Sequence, residues 1–174
     1  MILPDFYNTV NMNKINLLQL FAFFILVSTA CSDESGIDTE KPTIDISFVG
    51  AFPTNCDTIY FGETFELKLQ FSDNIELGSF SIDIHNNFDH HSHSTEVTEC
   101  NLNPKKDPVN PFVFIDDYPI PSELKEYTTN NSISVPTGNG NGKFDDGDYH
   151  FYISLTDKEG WSTQKGLSIK MIHR

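Results

Sequence analysis

From Thr43 onward the apolar residues recur at every second position. "TIDISF" alternates Ile44, Ile46 and Phe48; "TFELKLQF" alternates Phe65, Leu67, Leu69 and Phe71; "SFSIDIH" alternates Phe80, Ile82 and Ile84. Nearer the C-terminus "DYHFYISL" alternates Tyr149, Phe151, Ile153 and Leu155, and "GLSIKM" alternates Leu167, Ile169 and Met171. Successive side chains of a strand point to opposite faces, so each run predicts a strand with one buried and one solvated face. "FVFID" and "SISV" predict weaker strands, and "TDKEGW" supplies turn chemistry between the last two strong ones. The region keeps no 3.6-residue apolar stripe. About seven short strands in about 130 residues predict an all-β fold, an immunoglobulin-like antiparallel β-sandwich.

The pattern upstream is different. Ile15 to Val27 form an apolar run behind Lys14, and the small residues Ser28, Thr29 and Ala30 precede Cys31. A positive start, an apolar run too short for a comfortable membrane span and a small-residue cleavage site predict a signal peptide over residues 1–30. The acidic, proline-containing "MILPDFYNTVN" precedes the positive residue, so translation is expected to begin at Met12. "VSTAC" resembles the lipobox of bacterial lipoproteins, with Ser28 where that motif prefers leucine. The resemblance implies that Cys31 is lipidated and that its acyl chains, worth about 0.8 kcal/mol per buried methylene, hold the protein on a membrane. "SDESGIDTEKP" has no apolar period and reads as a flexible tether over residues 31–41, leaving 42–174 as the domain. Its "SDES" resembles the acidic surface-export signal of Bacteroidetes lipoproteins. That implies the outer face of the outer membrane, with the periplasmic face as the alternative.

Composition narrows the partners. With 38% hydrophobic residues and 15 Phe the chain has material for one real core. A formal net charge of -14 repels phosphate backbones, so nucleic acid is not expected as a partner. Both envelope compartments are oxidising, and with Cys31 acylated only Cys56 and Cys100 remain. A bridge between them closes a loop of about 45 residues and contributes up to roughly 4 kcal/mol. Two free buried thiols are the other reading.

"KPTIDISFVG", "FELKLQFSDN", "SFSIDIH" and above all "ISVP" followed by "GDYHFYISLTDKEGWST" resemble a family of Bacteroidetes lipoproteins classed as domain of unknown function 4625. The resemblance covers roughly residues 41 to 173, and the family's turn aspartate and glycine match Asp157 and Gly160. It implies a surface-anchored, immunoglobulin-like module with no assigned activity. The chain departs from the family in a His-rich loop and in an insertion after Pro136.

The His-rich loop raises metal chemistry. Of the chain's 6 histidines, His85, His90, His91 and His93 fall in "SIDIHNNFDHHSHS", with Asp83 and Asp89 among them. If Ile82, Ile84, Phe151 and Ile153 point inward, His85 and His150 point outward, and pairing of the third and sixth strands sets them side by side. His85, Asp89, His91, His93 and His150 are thus candidate ligands for Zn(II) or Cu(II), whose taste for neutral imidazole they match. A solvated "HHSH" loop that binds added metal opportunistically explains the same letters. In the insertion, Thr137, Asn139, Asn141, Lys143, Asp145 and Asp148 fall at the ligand spacing of a twelve-residue calcium loop, with Gly142 at its sharp turn. A plain Gly/Asn hairpin is the competing reading. No nucleophile elbow, phosphate loop or zinc-protease motif occurs, so an enzyme is not expected. Outward aromatics such as Tyr152, Trp161, Phe112 and Tyr118 suggest the alternative function, a module binding a protein or glycan.

Overall fold

The two-residue period builds two facing layers of strands. The computed structural model describes residues 37–91 and 100–174; the signal peptide, Cys31 and His93 lie outside the described residues. Along the chain the strands are β1 (Thr43–Asp45), β2 (Thr58–Tyr60), β3 (Thr64–Leu67), β4 (Gln70–Ser72), β5 (Leu77–Asn86), β6 (Phe114–Pro119), β7 (Glu126–Thr128), β8 (Asn131–Ser134), β9 (Gly138–Asn139), β10 (Gly142–Lys143), β11 (Gly147–Asp157) and β12 (Ser162–Ile172). One layer is a five-stranded sheet in the order β2-β12-β11-β5-β6; β1-β4-β7 and β3-β8 face it. The arrangement is the expected all-β one, built from several sheets. Pairing is antiparallel except where β2 runs parallel to β12.

The centre of the large sheet follows the alternation closely. Phe151 lies opposite Ile84, Ile153 opposite Ile82 and Leu155 opposite Phe80, and all six are buried. Phe71 of the facing layer meets Phe80 with ring centroids 5.1 Å apart, and Phe65 meets Phe151 at 6.4 Å. Each such side chain, fully withdrawn from water, contributes about 1.5–3 kcal/mol, so this seam is what holds the layers together.

The run "TFELKLQF" is one alternating segment in sequence but two strands in space. Lys68 leaves the ladder to pair with Phe52 in an isolated bridge. Buried Thr129 fills the gap: its hydroxyl accepts from Leu69 N at 2.9 Å and donates to Leu67 O at 2.8 Å. The segment thereby changes partner from β8 to β7 without leaving buried backbone groups unpaired.

One expectation about the chain's organisation is met here. Cys56 and Cys100 are bridged, with Cα atoms 5.5 Å apart. The compact unit that holds the sandwich runs from Asp38 to Arg174. Asp38 is 4% exposed, and its carboxylate accepts from Glu40 N at 3.0 Å and from Asn74 Nδ2 at 2.9 Å. A polar residue read as solvated linker is therefore consumed inside the domain.

Candidate metal centre

His85 of β5 and His150 of β11 are direct cross-strand partners. The strand-pairing expectation for these two is met, but the expectation that both face solvent is not. His150 is 0% exposed. The chain leaving β5 covers it: Asn87 N donates to Asp148 O at 2.8 Å, and Phe88 is buried edge-on against Tyr149, ring centroids 5.3 Å apart. Gly147 makes room for this, since a Cβ there would lie 2.7 Å from the Phe88 ring. His90 then takes a positive φ of 60 and closes a turn, donating its N–H to Asn87 O. His91 is thereby laid over His150, whose Nε2 donates to His91 O at 3.1 Å.

One ring nitrogen from each of His85, His91 and His150 lies within 4.8 Å of the others. The rings contact pairwise, with centroids 5.7 Å apart for His85 and His91, 5.4 Å for His85 and His150, and 4.7 Å for His91 and His150. Two carboxylates brace them. His85 Nδ1 meets Asp83 Oδ1 at 2.8 Å and His91 Nδ1 meets Asp89 Oδ1 at 2.6 Å. An ionised carboxylate only accepts, so each of these Nδ1 atoms carries the proton and Nε2 carries the lone pair of the neutral ring. By the same argument the His91 carbonyl puts the proton of His150 on Nε2 and the lone pair on Nδ1. The hydrogen bond from His91 also holds the Asp89 carboxyl below its ordinary range. The side chains of His85 and His91 are 25% and 38% exposed, so the cluster has a buried floor and an open side.

Carboxylate–histidine pairs are the usual outer shell of zinc and copper ligands, because they fix the tautomer and raise the basicity of the other nitrogen. Around a tetrahedral ion with bonds of about 2.0–2.1 Å the nitrogens would stand about 3.4 Å apart, so the rings need to draw together by roughly 1.5 Å at most. Of the five residues expected to bind a transition metal, the structure brings His85, His91 and His150 together. Asp89 serves as a brace through His91, and His93 lies outside the described residues. His90 is turned elsewhere, its Nε2 donating to Asn103 O at 2.9 Å.

The insertion forms a hairpin from β9 and β10. Asn110 Nδ2 sits among its oxygens, 3.1 Å from Asn139 Oδ1, 3.1 Å from Gly142 O and 3.0 Å from Lys143 O. Asn139 Oδ1 also accepts from Asn141 N, and Thr137 O accepts from Phe144 N. Asp145 Oδ2 accepts from Val109 N and Asn110 N, each at 2.7 Å. Asp148 faces elsewhere, accepting from Asn103 N and pairing with Lys170. The expected calcium ligands are thus divided between two separate hydrogen-bonded groups, because Asp148 already belongs to β11. The aromatic expectation also needs correction: Phe112 is a core residue at 4% exposure, and half-buried Tyr118 stacks on Phe80.

Sequence reasoning missed a second group, Asp38, Asp73 and Asp157, each of which brings a carboxylate oxygen within 4.8 Å of the others. The signals were present in "FSDN" and "TDKEG", where an aspartate ends an alternating run, but the third member sat in the presumed tether. A family model described as a domain of unknown function (DUF4625) matches residues 29–172. No curated protein matches the chain.

Proposed function

The chain belongs to the DUF4625 family, and on that footing we propose that it is a non-catalytic, lipid-anchored envelope protein whose immunoglobulin-like domain binds a transition metal through His85, His91 and His150. The observation that carries this reading is the convergence of three imidazoles on one face, two of them braced by Asp83 and Asp89. Neutral nitrogen donors suit Zn(II) and Cu(II) rather than hard cations. The leader before Cys31 and the Cys56–Cys100 bridge both agree with an oxidising compartment reached by export. In this account Cys31 is the membrane anchor and "SDES" directs the domain to the cell surface.

Calorimetric titration of the full chain with Zn(II) and Cu(II) tests the site. One equivalent is expected to bind, and binding is expected to fall at least tenfold in His85→Ala and in His150→Gln. Binding unaltered by both changes but abolished by deleting residues 90–93 would make the loop an opportunistic metal binder. For the anchor, Cys31→Ala is expected to move the protein from the membrane to the soluble fraction. A variant that stays with the membrane refutes lipidation at Cys31.

A second reading, a protein- or glycan-binding module, has one observation in its favour. Ile115 on edge strand β6 is 68% exposed and lies in register with Asp83, on the same face as the histidines. Apolar surface there gives a partner something to bury.

A further inference from the structure

Asp38, Asp73 and Asp157 come from three separate stretches: ahead of β1, just past β4, and at the end of β11 where its register against β5 shifts. Each uses Oδ1 for the protein. Asp38 Oδ1 accepts from Glu40 N and Asn74 Nδ2; Asp73 Oδ1 accepts from Ile75 N and Glu76 N, both at 2.8 Å; Asp157 Oδ1 accepts from Gly160 N at 2.6 Å and Trp161 N at 2.8 Å. The Oδ2 atoms are different. All three are sealed from solvent and have no hydrogen-bond partner among the described residues, and Asp38 and Asp157 are each only 4% exposed. A buried carboxylate oxygen without a partner is costly, and three negative groups close together repel one another. None of the ion pairs among the described residues brings a Lys or Arg to them.

We propose that Asp38, Asp73 and Asp157 bind a calcium ion that fastens the start of the domain to both layers of the sandwich. A hard cation would partner all three Oδ2 atoms at once. Oxygens within 4.8 Å of one another fit across a shell whose bonds are about 2.4 Å, as in calcium sites, and are loose for magnesium at about 2.1 Å. Three carboxylates draw the N-terminal segment, the β4 end and the β11 end onto one ion. Trp161 already marks that junction, its Nε1 donating to Asp38 O at 2.9 Å. Asp38 opens the compact unit, so the ion would set how firmly the segment ahead of β1 is held to the sandwich. An extracellular module of this kind works at dissociation constants of about 0.1–1 mM.

Terbium substitutes for calcium and luminesces when a nearby indole is excited, and Trp161 is the chain's single tryptophan. Titrating the full chain with Tb(III) under excitation of Trp161 is expected to give saturable luminescence. Calcium should displace it at about 0.1–1 mM, with magnesium at least tenfold weaker. Asp73→Asn and Asp38→Asn are each expected to abolish the signal, while Asp145→Asn in the β9–β10 hairpin and His85→Ala leave it unchanged. Calcium should also raise the melting temperature of the unaltered chain and not that of Asp73→Asn. Luminescence that survives both Asp73→Asn and Asp38→Asn, or disappears only in Asp145→Asn, overturns the proposal. So does a folded, unaltered chain whose melting temperature and luminescence ignore 10-fold excess calcium over the millimolar range. If one Asn variant fails to fold, the other and the melting shift of the unaltered chain decide.

Discussion

Removing the Cys56–Cys100 bridge by the double change Cys56→Ala, Cys100→Ala is expected to destabilise the domain mainly through its unfolded chain. The bridge spans 44 residues of sequence. A loop of that length restricts the denatured ensemble by about 13 cal/mol/K, or about 4 kcal/mol at 25 °C. The folded geometry around it has other supports. Asn103 N donates to Asp148 Oδ2 at 2.7 Å, Lys106 N donates to Phe88 O at 3.1 Å, and the Lys106 ammonium sits 4.2 Å from the centre of the Phe88 ring. These contacts keep the segment after Cys100 in place without the sulfur link, so the native state changes little. An unfolding entropy of about 2.1 cal/mol/K per residue gives about 290 cal/mol/K for the roughly 140 residues from Asp38 onward, and 4 kcal/mol then corresponds to about 14 °C. Calorimetric melting of the oxidised chain and the double variant measures this. Urea titration should show a lower midpoint together with a steeper slope, because the unlinked chain exposes more surface when unfolded. A melting shift below about 4 °C, or an unchanged slope, would refute the loop-closure argument.

Three other outcomes follow from particular contacts. Asp83→Ala removes the brace on His85 and should weaken Zn(II) binding about 10- to 100-fold in a calorimetric titration, with little change in the melting temperature of the metal-free chain. Burial pushes the Tyr149 phenol up to about 12, with the Asp145 and Asp146 charges adding to it, while its hydroxyl donates to Asp145 O. The fold favours the neutral form, so this contribution is complete below pH 10 and is lost as pH rises toward 12. The unaltered chain should lose stability more steeply than Tyr149→Phe between pH 10 and 11, by about 1 kcal/mol over that unit, in urea melts at each pH. Gly78→Ala would place a Cβ 2.6 Å from the Asp157 carbonyl oxygen, a backbone atom that cannot swing away. Its melting temperature should fall by an amount equivalent to about 1–3 kcal/mol.

The core strands were legible because burial on one face enforces a period of two, and nothing competed with it. Phe80, Ile82, Ile84, Phe151 and Ile153 point inward as their spacing predicts. The same period placed His85 beside His150, so two of the cluster's three histidines could be read from pattern alone. The rest depended on loop geometry that has no period. His91 reaches His150 only because Asn87, Phe88 and the His90 turn fold the chain back, and nothing in "HNNFDHH" announces that path. Short strands such as β2 and β7 were missed because three residues carry too little alternation to register. The calcium reading of residues 137–148 failed to gather its ligands for a related reason. Side-chain spacing matched a loop, but Asp148 was needed in β11, and Asn110, distant in sequence, took up the hairpin's oxygens. Asp38 was hidden by composition, since a lone buried aspartate inside a polar run looks like linker.

The central claim, a transition-metal centre on the β5–β11 face, is tested most directly by anomalous X-ray scattering from crystals of the protein grown with one equivalent of Zn(II). The account predicts a single strong peak at the zinc edge, about 2.0–2.1 Å from one ring nitrogen each of His85, His91 and His150, with Asp83 and Asp89 still on the opposite nitrogens of His85 and His91. A peak held by His90 or His93 without His85 and His150, or no ordered peak at that stoichiometry, would contradict it.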